Sequence, residues 1–198
     1  MTTHAVDPRA MRSRTALIGA MTALLDERDL DRLSITLVVQ AAGVTRPTFY
    51  QHYTDLAGLA SDAAITRLDA EFERHEPSPA AEGWLEAAEP VVGRLLQHLA
   101  EHRDFYRRVF YGSAARPVMD AAVELVVRRI LERSPFGDVV AEPGSEETRD
   151  RVVIVSGGIV WLLSKWLLTD LTGRDAIEAM AHRISVQLVR LSLAEQDR

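Results

Sequence analysis

A single glycine, Gly43, standing between two short helical runs, constrains this chain more than any other position. From Ser34 to Tyr53 the sequence reads Ser-Ile-Thr-Leu-Val-Val-Gln-Ala-Ala-Gly-Val-Thr-Arg-Pro-Thr-Phe-Tyr-Gln-His-Tyr. Ser34 is an N-cap residue type, because its hydroxyl can accept from a backbone N–H two or three residues on, and no Gly or Pro interrupts the run to Ala42. Gly43 then falls where a helix ends in a left-handed residue, a conformation that costs other residues about 1 kcal/mol or more. Val44 is a small apolar plug and Thr45 a second N-cap. Pro47 is tolerated in a first turn, where N–H groups have no intrahelical partner. The stretch therefore predicts two helices hinged at Gly43, the second from Arg46 to Tyr53.

On that second helix Phe49 and Tyr53 lie four apart and face the first. Arg46, Pro47, Thr48, Tyr50, Gln51 and His52 are left outward, next to Thr45 and to Thr36 of the first helix. These types suit DNA: Arg bonds guanine bidentately, Thr and Gln reach base edges, Pro and the Thr methyl touch a thymine methyl, and Tyr and His meet phosphates. A plain helical hairpin with a solvated outer face is the alternative reading of the spacing.

The wording is more specific than the spacing. Leu33 to Leu59, with its Ala41-Ala42-Gly43-Val44-Thr45-Arg46 turn and its Thr48-Phe49-Tyr50-x-His52-Tyr53 helix, closely resembles the DNA-binding domain of the TetR family of transcriptional repressors. The resemblance covers residues 10 to 65 or so. It implies an all-α homodimer, with an N-terminal three-helix helix-turn-helix domain and a C-terminal helical domain for ligand binding and dimerisation. It also implies a repressor that binds a pseudo-palindromic double-stranded DNA operator and is released by a small-molecule inducer. Three positions depart from the family pattern. Leu56 stands where a phosphate-gripping Lys is usual at the start of the fourth helix, and Leu37 and Val39 are greasier than the small or polar residues usual there.

Composition neither demands nor forbids this reading. The chain has 198 residues, 47% hydrophobic and 26% charged, enough for a buried core and two small domains. It has no cysteine, which removes disulfides, thiolate metal sites and cysteine nucleophiles and is compatible with a cytoplasmic home. Met1 to Ala10 is too polar for a signal peptide. The net charge of −6 is unpromising for a nucleic-acid partner, but its distribution matters more. Residues 1 to 55 are neutral, with six Arg at 9, 12, 14, 28, 32 and 46 and six acids at 7, 26, 27, 29, 31 and 55. Arg9, Arg12 and Arg14 crowd the N-terminal arm, no acid lies between Leu33 and Thr54, and Asp26 to Asp31 read as a solvated helix end.

Along the rest of the chain, Leu17, Ile18, Met21, Leu24 and Leu25 give one apolar face to a first helix from Ala10 to Arg28. A fourth helix, capped by Asp55, runs to His75 as a connector. Glu76-Pro77-Ser78-Pro79 is the expected seam between a DNA-binding domain, residues 1–55, and a C-terminal domain, residues 76–198. A helix from Ala80 to His102 should kink or divide at Pro90. Helices from Arg103 to Tyr111 and from Pro117 to Arg133 follow, then a loop over Ser134 to Glu147. Val152 to Leu168, interrupted by Ser156, Gly157, Gly158, Ser164 and Lys165, is too short and too broken for a membrane span and reads as a helix buried on all sides. The last helix, Asp175 to Glu195, carries two stripes. Ile177, Met180, Ile184, Leu188 and Leu191 suit the chain's own core. Ala179, His182, Val186, Val189 and Leu193, together with Gly157 and Gly158, suit a dimer interface.

Trp84, Phe105, Tyr106, Phe110, Tyr111, Trp161 and Trp166 are candidate walls of a site for a small apolar or amphipathic effector, with plain core as the alternative for each. His98-Leu-Ala-Glu101-His102 matches the H-x-x-E-H pattern of zinc hydrolases. A metal-dependent hydrolase is therefore an alternative of another class, though Arg103, Arg107 and Arg108 would oppose a cation. No nucleophile elbow, P-loop or dinucleotide fingerprint occurs, so no cofactor and no enzymatic activity is expected.

Overall fold

The computed structural model describes residues 7–74, 84–133, 146–169 and 173–196, and among these every regular element is a helix. The helices α1 (Pro8–Glu27), α2 (Ile35–Ala42), α3 (Arg46–His52) and α4 (Leu56–Arg74) come first. They are followed by α5 (Trp84–Glu101), α6 (Arg103–Tyr111), α7 (Ala115–Arg133), α8 (Glu146–Trp166) and α9 (Arg174–Gln196). Residues 75–83 and 134–145 lie outside the described set, and with them the seam at Glu76-Pro77-Ser78-Pro79 and nearly all of the expected loop.

The chain divides into two compact units, and the division falls inside α4. One unit runs up to Arg67 and takes in Asp104–Val118; the other comprises Leu68–Arg103 and the chain from Met119 onward. The expected boundary, drawn where prolines break the helix, missed the return of residues 104–118 to the first unit. Proline marks where a helix stops and carries no information about which partners a later segment finds.

In the first unit, α1 starts on Asp7, whose carboxylate accepts from Arg9 N at 2.9 Å, with Pro8 in the first turn. Leu17, Met21 and Leu25 are fully buried, and burying each contributes about 1.5–3 kcal/mol. A 3₁₀ turn, Leu30–Arg32, follows that the sequence did not announce. Asp26 to Asp31, expected to be solvated, include three acceptors: Asp26 for Arg67 (2.8 Å), Asp29 for Arg108 (3.3 Å) and Asp31 for Ser113 (2.5 Å). Arg108 also donates to the carbonyls of Leu25 and Asp26, supplying donors to the end of α1. Around this anchorage Phe105 and Tyr106 stand edge to face at 5.1 Å, both buried, and the Arg67 guanidinium lies 4.6 Å over Phe105.

In the second unit α9 packs on α5 and also on α8. Met180, Ala181, Ile184 and Leu188 are buried and Ile177 half-buried, and a Cβ at Gly93 of α5 would meet Ala181 at 3.8 Å. Pro90 does not divide its helix: α5 is continuous and Pro90 is exposed, so its ring sits on the side open to solvent. Arg129 of α7 bonds Asp69 (2.5 Å) and Glu73 of α4 and lies over Phe72. Arg103 donates to the carbonyls of Leu167 and Thr169 at the end of α8. The reading of Val152 to Leu168 as buried on all sides needs correction. Val152, Ser156, Val160, Leu163 and Ser164 are buried, whereas Ile154, Trp161 and Leu162 are 72%, 57% and 42% exposed. A helix of this length has more apolar circumference than one small unit can cover.

Candidate nucleic-acid interface

The hinge forms as its residues dictate. Ser34 accepts from Leu37 N at 3.2 Å and starts α2; Gly43 ends it at φ +65°, the left-handed conformation. The next N–H, of Val44, returns to Val39 O at 3.0 Å. Thr45 then caps α3, accepting from Thr48 N at 3.3 Å, with Pro47 in the first turn. Phe49 is fully buried and 6.0 Å from Tyr53, which closes the helix. This unit holds α3 against both α1 and α2.

Arg46, Pro47, Tyr50 and Gln51 are exposed, and Thr48 is half-buried. Arg46 Nη1 lies 3.4 Å from Thr36 Oγ1, so the residue singled out on α2 and the cation of α3 share one patch. The Thr45 and Thr48 hydroxyls bond each other at 2.8 Å, which fixes both side chains at the start of α3. Tyr50 stands edge-on to Phe49 at 5.4 Å and presents its outer end to solvent. The face is polar, with a rigid apolar underside.

His52 departs from the expected outward pose. It is half-buried, with Nε2 2.8 Å from Ser13 Oγ of α1. The same hydroxyl lies 3.0 Å from Ala10 O, so it joins the His52 ring to the backbone of α1. Tyr53 Oη donates to Asp62 Oδ2 of α4 at 2.7 Å, and Arg14 of α1 bonds the same oxygen at 2.5 Å. Burial, and then the bond to Asp62, push the Tyr53 phenol well above its usual range, so it remains a donor. Two contacts thus pin the end of α3 from α1 and α4. Ser13 and Asp62 were invisible to sequence reasoning, because their partners lie 39 and 9 residues away and no local pattern marks them. Arg14, counted with the basic arm, is engaged; Arg9 and Arg12 are exposed.

The aromatic residues proposed as an effector wall are divided. Phe105, Tyr106 and Phe110 are buried and Tyr111 exposed in the first unit; Trp166 is buried and Trp161 exposed in the second, with Lys165 Nζ 4.5 Å over the Trp161 ring. The side chain of Trp84 lies outside the described set, as do those of Val189 and Leu193. A hollow of about 1070 Å³ between α5 and α9 is lined by Glu89, Arg94, Gln97, Glu101, Arg174 and Glu178 among others, and by none of these aromatics. Of the expected interface stripe, Ala179 and His182 are exposed and Val186 half-buried; His182 Nδ1 lies 3.2 Å from Glu89 of α5. Among the described residues nothing lies within 4 Å of a Cβ built at Gly157 or Gly158.

Of the zinc-hydrolase pattern the two histidine rings meet, whereas Glu101 turns to another neighbour. His98 is buried with Nδ1 3.5 Å from Glu71, and its ring stacks edge-on to His102, whereas exposed Glu101 accepts from Gln97 at 3.0 Å. Among the described residues no group of three His, Asp or Glu is placed to hold a metal ion, and no helix is long and apolar enough to cross a membrane.

An all-helical chain whose first unit carries a capped helix-turn-helix with a polar outer face has the fold of a helical transcription regulator. Residues 17–63 match the family model of bacterial regulatory proteins, tetR family. The match covers the N-terminal domain, which is similar to the DNA-binding domain of that family. Solved structures with the same fold include a TetR transcriptional regulator from Rhodococcus sp. RHA1, 18% identical, covering 92% of this chain and 97% of that one with a TM-score of 0.63. A tetR-family regulator from Streptomyces coelicolor is 20% identical, with 92% and 83% covered and a TM-score of 0.57. The TetR family repressor AlkX from Dietzia sp. strain DQ12-45-1b is 18% identical, with 89% and 95% covered and a TM-score of 0.56. Comparison with curated proteins finds no match.

Proposed function

We propose that this chain is a transcriptional regulator, acting as a repressor, that binds a two-fold-symmetric DNA operator as a homodimer and is released by a small apolar or amphipathic effector. The observation that carries the DNA-binding part is the left-handed Gly43 hinge, which sets α3 with Arg46, Pro47, Tyr50 and Gln51 exposed over a buried Phe49. A helix so presented enters a major groove and offers side chains to base edges. Dimerisation is supported by the exposed apolar face of α8, where Ile154, Trp161 and Leu162 recur at helical spacing beside Gly157 and Gly158. The effector rests on resemblance to the family, and its binding would be linked reciprocally to that of the operator.

The test is the affinity of the chain and of its Arg46→Ala variant for a duplex the wild type selects from a random pool, and for a scrambled duplex. Loss of about 1–3 kcal/mol on the selected duplex, with little loss on the scrambled one, is expected if Arg46 reads a base. Equal losses on both would make Arg46 a phosphate contact and remove the base-reading role.

A further inference from the structure

Asp62 of α4 sits where three helices meet, and one oxygen does two jobs: Oδ2 accepts from Tyr53 Oη at 2.7 Å and from Arg14 at 2.5 Å. Tyr53 closes α3, and Arg14 is one residue beyond Ser13, which holds His52 near the same end. The Arg14 guanidinium therefore shares one carboxylate oxygen with the phenol of the residue that closes α3. When the second helix of such a motif lies in a major groove, its flanks come against the phosphate backbones that border the groove. A cation at this place is thus positioned for phosphate, yet here it faces a carboxylate. The Arg14 and Asp62 side chains are 53% and 35% exposed, too wet for the pair to contribute much to stability. The protonated Tyr53 phenol meanwhile fixes the carboxylate in place.

We propose that Asp62 is a specificity-determining residue: by pairing with Arg14 beside the reading helix it withholds a cation from the DNA backbone and keeps sequence-independent affinity low. Phosphate contacts raise affinity for every sequence alike, so silencing one lowers background binding while base contacts continue to discriminate. The inference rests on the DNA-binding reading above.

The experiment is binding of the full chain to a random-sequence duplex across 0.05–0.2 M salt, for wild type, Asp62→Asn and Asp62→Asn/Arg14→Gln. Asp62→Asn keeps an oxygen for Tyr53 and removes the charge. Each phosphate newly neutralised adds about 0.9 to the slope of log affinity against log salt, so a dimer should steepen by up to about 1.8. Over this fourfold salt range that is about a tenfold larger gain in affinity than the wild type shows. The double variant should return to the wild-type slope. An unchanged slope in folded Asp62→Asn, or a steepening that persists without Arg14, overturns the inference. Asp62→Ser, with the same expectations, replaces Asp62→Asn should its thermal melt show loss of fold. If the wild type binds no duplex at all, the DNA-binding reading fails and the inference with it; a wild type that binds, with slopes unaltered by Asp62, refutes the inference alone.

Discussion

Single residues decide whether the helix-turn-helix forms. Gly43 at φ +65° has nothing within 4 Å of a would-be Cβ, so replacing it meets strain and no clash. Gly43→Ala should lower stability by about 1 kcal/mol, the cost of left-handed backbone with a Cβ; an unchanged denaturation midpoint would mean that the hinge relaxes to another conformation. Thr45→Ala removes the cap of α3 and should cost about 1 kcal/mol by the same measurement, with a further loss of DNA affinity because the Thr48 hydroxyl loses its partner. Leu56→Lys tests the vacancy in the family's phosphate contact: the slope of log affinity against log salt should steepen by up to about 1.8 per dimer. An unchanged slope would place the start of α4 away from the backbone. Gly43, Thr45 and the Phe49 anchor were legible in the sequence because each acts through neighbours one helical turn away. His52 was misjudged as outward, and Asp62 went unnoticed, because what fixes them is a hydroxyl on α1 and a phenol on α3, and periodicity does not record such partners.

At the scale of elements, local patterns gave the helices closely and their surroundings poorly. Arg103–Tyr111 matches its expectation at both ends, and α2 and α3 differ from theirs by a residue at most. Of the two outcomes expected at Pro90, a kink or a division, the helix is not divided, and Val152 to Leu168, expected to be enclosed, shows an open apolar face. In both cases the missing information was which side of the helix faces solvent. The buried side of α8 carries one further oddity. The hydroxyls of Ser156, on α8, and Ser185, on α9, are fully buried without a hydrogen-bond partner among the described residues. An unsatisfied buried hydroxyl costs about 1–3 kcal/mol, so Ser156→Ala and Ser185→Ala should each be neutral or raise stability by up to about 1 kcal/mol. A clear loss of stability in denaturant titration would show that the hydroxyl is satisfied by bound water or by a ligand.

At the scale of the whole molecule, an operator with two-fold symmetry requires two copies of the chain. Ile154, Trp161 and Leu162 recur at helical spacing on the exposed face of α8, and a second copy would cover them symmetrically. Ile154→Glu/Leu162→Glu would place charges in that interface and should give monomers by sedimentation; a folded dimer in the double variant would move the interface elsewhere. A two-fold dimer carrying two α3 helices can read only a two-fold site. Selection of duplexes from a random DNA pool by the full chain, followed by sequencing, is the most direct measurement. It should enrich an inverted repeat whose half-sites are centred about one helical turn, ~10 base pairs, or a multiple of it apart. A pool left unenriched, or a single unrepeated site, would contradict it.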